Sequence, residues 1–148
     1  MYNVLIVIHL LAATVWTGGH LILCLTILPT AIKQKDMEFL MNFEAVYEKI
    51  GIPALLLQAI TGIGLSLSHL PNVQSWFDME SSISRVITIK LTLLVITIAL
   101  ALHTRFRLIA NLTDEKLNRL AIHIILVTIV SVAFVVTGVG FRLGFFDL

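Results

Sequence analysis

A single cysteine, Cys24, in 148 residues excludes an intrachain disulfide; set in an apolar stretch, it reads as a small hydrophobe and gives no redox address. Charge is scarce too. Asp, Glu, Lys and Arg make up 13% of the chain, against roughly 25% in a soluble domain. The ten basic and nine acidic residues are interspersed without a basic run, which sets nucleic acid aside. No HExxH motif occurs and no carboxylate falls inside the long apolar runs, so zinc hydrolysis is not indicated. The glycine pairs Gly62/Gly64 and Gly138/Gly140 follow no strand-like segment and precede no P-loop lysine. They read as small-residue packing sites.

What the chain has in place of charge is apolar length: 58% hydrophobic residues and a mean hydropathy of +1.00. Four runs, residues 4–28, 52–70, 86–108 and 120–141, reach the ~20 residues needed to cross a bilayer. The expected fold is therefore all-α, an integral membrane four-helix bundle forming one domain over residues 1–148. The first run has no basic n-region and no small-x-small cleavage site after it, so it is read as a retained helix. Between the first two runs, KQKDMEFLMNFEAVYEKIG (Lys33–Gly51) repeats Phe39, Leu40, Phe43, Val46, Tyr47 and Ile50 at helical spacing. An amphipathic helix that lies on the membrane or extends a span is expected there. Trp76 and Phe77 suit an interfacial loop, and Thr113 suits the cap of the last helix.

Lys33, Lys35, Lys49, Arg105, Arg107, Lys116 and Arg119 fall on one side, Arg85 and Arg142 on the other. The positive-inside rule then places both termini outside, which in the inner membrane of a bacterium is the periplasm. Arg105 and Arg142 are candidates for haem propionates, although topological anchoring explains them equally simply.

All five histidines, His9, His20, His69, His103 and His123, lie within or at the end of a run, where ionisable groups are costly enough to be functional candidates. His9 and His20 are eleven residues apart, which puts them within ~20° on one helix face and ~16 Å apart along it. Ala13 and Trp16 share that stripe, the first small enough to admit a flat ligand and the second able to stack on one. In the second run Gln58, Gly62 and His69 share a face, a second groove with a small residue at its middle. By depth, His9, His69 and Lys90 belong to the outer half and His20, His103 and His123 to the inner half. Lys90 reads equally well as snorkelling to the outer interface.

Haem iron takes axial imidazoles from facing helices, and apolar walls suit a porphyrin disc. The expectation is one or two b-type haems, ligated by His20 with His103 or His123 and by His9 with His69 or Lys90. Copper is the alternative, weakened by the single cysteine and by methionines that all lie outside the runs.

The stretches HLLAATVWTGGHLILCLTILP, IGIPALLLQAITG and ITIKLTLLVITIALALHTR resemble the CopD copper-resistance family in its four-span form. The order of His, Trp and Gly in the first run and the KL pair of the third also resemble the HemJ-type protoporphyrinogen oxidases. The first resemblance implies copper import or handling. The second implies haem b, with His9 and Lys90 as the functional residues, although His20 and His123 are additional to that pattern. Three readings follow in order: a membrane b-type cytochrome passing electrons to a quinone or redox partner protein, a copper transporter, and a HemJ-like oxidase. Small-residue faces also allow a homodimer in the lipid bilayer.

Overall fold

The computed structural model of the chain describes residues 2–104, 106 and 117–146. Among them are helices α1 (Tyr2–Ile22), α2 (Leu28–Gln34), α3 (Met37–His69), α4 (Ser82–His103) and α5 (Leu117–Arg142), and no strand. A π-helical turn, Leu23–Ile27, joins α1 to α2 without a break, so the first membrane helix runs from Tyr2 to Gln34. Its cause is local. Pro29 has no N–H to give the carbonyl four residues back and its ring would clash there, and the helix widens just before it, with the Leu28 N–H bonded to the Leu23 carbonyl. Four helical segments are long and apolar enough to cross a membrane among the described residues, as expected from the four runs.

The amphipathic segment is not a separate surface element. Lys35 turns the chain in a left-handed conformation (φ 54°), Asp36 caps α3 by accepting the Phe39 N–H at 2.9 Å, and the helix then continues through Pro53 to His69. Thirty-three residues make a rod of ~50 Å, well beyond the ~30 Å of hydrocarbon. The first turns of α3 therefore extend the second span past the apolar layer.

The helices alternate in direction, with Tyr2, His69, Ser82 and Arg142 at one end and Gln34, Met37, His103 and Leu117 at the other. We call these the terminal end and the far end. α1 packs between α3 and α5, and α4 packs on α5, while α3 and α4 meet only sparingly. At the far end Leu23, Leu28, Ala31, Leu40, Leu120, Ala121 and Ile124 form an apolar cluster. Cys24 packs against it with Met37 and Met41, which agrees with its reading as a small hydrophobe.

The middle of the bundle is built differently. Its buried residues include Thr17, His20, Gln58, Thr61, Thr97, Thr128, Ser131 and Thr137, while Val7, Leu10, Leu25, Val95 and Val136 point outward. That inversion suits a lipid solvent, where small and hydroxyl residues let helices approach and hydrogen bond. Thr17 donates to the Ser131 carbonyl at 3.3 Å and Thr128 to the His20 carbonyl at 3.2 Å, joining α1 to α5.

At the terminal end, Trp76 is buried; its indole N–H donates to the Leu70 carbonyl and Thr88 of α4 donates to the Trp76 carbonyl. α4 begins with a capping box in which Ser81 and Ser84 satisfy each other's backbone N–H at 3.1 Å. Ser81→Ala is expected to cost about 1 kcal/mol, visible as a lower midpoint in thermal unfolding of the detergent-solubilised protein. Arg107, Thr113 and Lys116 lie outside the described residues.

Candidate functional site: an imidazole-lined cavity between the helices

The sparing contact between α3 and α4 leaves a partly open cavity of about 130 Å³. Trp16 and His20 enter from α1, Glu44, Tyr47 and Glu48 from α3, Thr97 and Thr104 from the α4 side and His123 from α5. His20 is the best buried of these imidazoles, at 7% exposure.

Two glycines make its surroundings possible. A Cβ on Gly19 would stand 1.9 Å from the Tyr47 ring, and one on Gly51 would stand 3.0 Å from it. The Tyr47 side chain thus lies in a notch open only because both positions lack a side chain. From there its hydroxyl donates to the Trp16 carbonyl at 2.8 Å and stands 3.1 Å from His20 Nδ1. The His20 ring meets Tyr47 edge-on at 5.3 Å between centroids and leans on Trp16 at 4.2 Å.

The hydrogen bonds assign the tautomer. His20 Nδ1 is 2.8 Å from the Trp16 carbonyl, which can only accept. Nδ1 therefore carries the proton, and Nε2 keeps its lone pair on a ring that lines the cavity. His123 is held the same way, Nδ1 donating to the Arg119 carbonyl at 2.9 Å. A backbone carbonyl on one ring nitrogen is the usual means of presenting the other to a metal.

The expected pairing by depth is realised in part. His20 and His123 share the cavity. His103, exposed at the end of α4, stacks on His123 with centroids 4.8 Å apart and planes inclined by 21°. His9 does not meet His69. Its Nδ1 donates to the Thr61 hydroxyl at 2.9 Å, since that hydroxyl is itself committed to the Leu57 carbonyl. His69 sits exposed at the terminal end, where Nδ1 donates to the Leu65 carbonyl and Tyr2 O–H donates to Nε2 at 3.1 Å. Lys90 lies half-buried, its Nζ beside Gly138 and within electrostatic reach of His9. Arg142 is exposed at the end of α5 and Arg105 lies outside the described residues.

Among the described residues, nothing in this arrangement supports a haem. The space beside His20 is about 130 Å³ and partly open, of the order of the ~150 Å³ cavity that takes a single benzene ring. The Gly62 groove, expected to admit a flat ligand, is filled by the His9 ring, whose Cε1 lies 3.2 Å from where a Gly62 Cβ would be. Among the described residues, no three His, Cys, Asp or Glu side chains converge as a preformed metal site.

On the sequence Tyr47 was part of an amphipathic face rather than a site residue, and Glu44 and Glu48 stood out in no pattern, because the second apolar run begins only at Ile52. The signal was there: a glycine four residues after Tyr47, and the Gly-Gly pair ahead of His20.

A four-span helical membrane protein with hydroxyl residues between its helices and imidazoles at a mainly apolar cavity is the class that fold and site define. Within that class the chain belongs to the copper resistance protein D family, whose model matches residues 41–141. The matched segment starts inside α3 and leaves α1, with His9, Trp16 and His20, outside it. No curated protein and no solved structure matches the chain. Haem stood ahead of copper on the sequence; the family reverses that order, and the HemJ resemblance gains nothing from it.

Proposed function

We propose that the protein carries copper ions through the membrane, with the cavity around His20 as the place where the ion is held in passage. The observation that carries this reading is the cavity itself, in a chain of this family: the imidazoles of His20 and His123, each with Nδ1 bonded to a backbone carbonyl, and the side chains of Glu44 and Glu48 border one space. Imidazole suits copper, and an incomplete ligand set suits an ion that must leave again. Copper here is cargo. Glu44 and Glu48 at the far end supply negative charge where a cation enters or departs. The basic residues Lys33, Lys35, Lys49 and Arg119 also gather at that end and favour its facing the cytoplasm, so the cavity serves the cytoplasmic half of the route.

Purified protein in liposomes containing a copper indicator tests the reading. External copper is expected to enter faster than into protein-free liposomes, and the protein is expected to show no Soret band after haem-sufficient expression. Equal rates in the two kinds of liposome overturn copper transport; a stoichiometric Soret band restores the cytochrome.

A further inference from the structure

The cavity reaches only part of the way through the bundle, and an ion held at His20 still has the terminal half to cross. Two buried polar atoms in that region lack a protein partner among the described residues: Gln58 Oε1 on α3 and Trp16 Nε1 on α1. Both residues are more than nine-tenths buried, at 7% and 6% exposure. Burying such an atom unpaired costs about 1–3 kcal/mol, and native interiors leave few of them.

Their placement is informative. Gln58, whose backbone the His9 ring itself reaches, precedes Thr61 and Gly62, two further residues beside His9, by three and four positions. It therefore lies on the α1-facing side of α3, ~6 Å further in than Gly62. Trp16 is seven residues from His9 and four from His20 on the same helix, about 10 Å and 6 Å along the axis. An acceptor and a donor thus fall between the two imidazoles of α1, at the interface where α1 and α3 pack. In His9, as in His20, Nδ1 makes a hydrogen bond, and the His9 ring also reaches the Gln58 backbone.

We propose that Gln58 is the middle station of a copper route from His9 to His20, its side-chain oxygen holding the ion between the two imidazoles while the Trp16 N–H serves the accompanying water. This rests on the copper-transport reading. An amide oxygen is a known weak copper donor beside imidazole, and weak binding at a middle site is what onward movement requires. By the same helix rise Gln58 lies ~6 Å from the level of His9 and ~10 Å from that of His20, so it divides a gap of ~16 Å into two shorter steps.

The test compares Gln58→Leu with Gln58→Met in copper-indicator liposomes, with equilibrium copper binding in detergent measured on the same preparations. Leucine keeps the volume and removes the donor; methionine restores a soft donor at similar length. Gln58→Leu is expected to slow uptake at least tenfold while copper binding at His20 and the helical circular dichroism stay as in the wild type, and Gln58→Met is expected to recover uptake. Wild-type uptake in Gln58→Leu overturns the proposal. Equal loss in both variants also overturns it, by assigning Gln58 to packing. Wild-type protein that moves no copper removes the transport reading itself, an outcome distinct from either.

Discussion

Gly19→Ala is expected to destabilise the protein by about 1–3 kcal/mol, although alanine is the better helix former by about 1 kcal/mol. The new Cβ would lie 1.9 Å from Tyr47 Cε2 and 2.6 Å from its hydroxyl oxygen, so the ring must leave its notch. With it go the 2.8 Å bond to the Trp16 carbonyl and the edge-on contact with His20. Gly18, with nothing within 4 Å of an added Cβ, is the internal control. Gly18→Ala is expected to be neutral or stabilising by up to about 1 kcal/mol. Thermal unfolding in detergent, followed by circular dichroism, separates the two. In a Tyr47→Ala background the cost of Gly19→Ala is expected to vanish, since the two residues act through one contact. A cost that persists there would assign Gly19 a role unconnected with Tyr47.

His20→Ala is expected to weaken copper binding by on the order of 100-fold and to abolish uptake into liposomes, with the fold intact. The fold survives because the Trp16 carbonyl, which accepts from both His20 and Tyr47, keeps the Tyr47 hydroxyl as a donor. What is lost is Nε2, the ring nitrogen opposite Nδ1 on the most buried histidine of the cavity. Tyr47→Phe keeps the ring and removes the hydroxyl that stands 3.1 Å from Nδ1. Its expected effect is smaller, about tenfold, as for other groups that orient a ligand without touching the metal. Copper titration of the purified variants, read as the affinity relative to wild type, checks both values. Wild-type affinity in His20→Ala would remove His20 from the binding site. A Tyr47→Phe loss equal to that of His20→Ala would show Tyr47 to be a ligand rather than a positioning residue.

Much of the architecture was legible in the chain. Four apolar runs set the number of spans because a lipid interior tolerates only a helix of sufficient length with its backbone satisfied. The shared face of His9 and His20 followed from helix periodicity, and the structure keeps both rings turned toward α3. The small residues facing them were also readable, Gly62 among them. Its use was not. The expected slot for a flat ligand is occupied by His9, because a groove one hydrogen wide on α3 meets an imidazole on α1 once the two helices close.

The amphipathic segment extends the second span, one of the two placements its pattern allowed; α3 runs on through Pro53, since a proline inside a long helix forfeits one hydrogen bond without ending it. That continuity brings Glu44, Tyr47 and Glu48 to the cavity and moves the candidate site toward the far end.

The amino-acid sequence by itself determined the solvent this protein folds in, its helical class and the imidazoles it places at two levels, because hydropathy and the 3.6-residue period act within one segment. Only the tertiary structure decided which imidazoles share a space, which side chains fill the grooves and how large the remaining cavity is. Those depend on how closely helices distant in sequence approach, and that distance is set by single side chains such as the hydrogen of Gly19 against the ring of Tyr47.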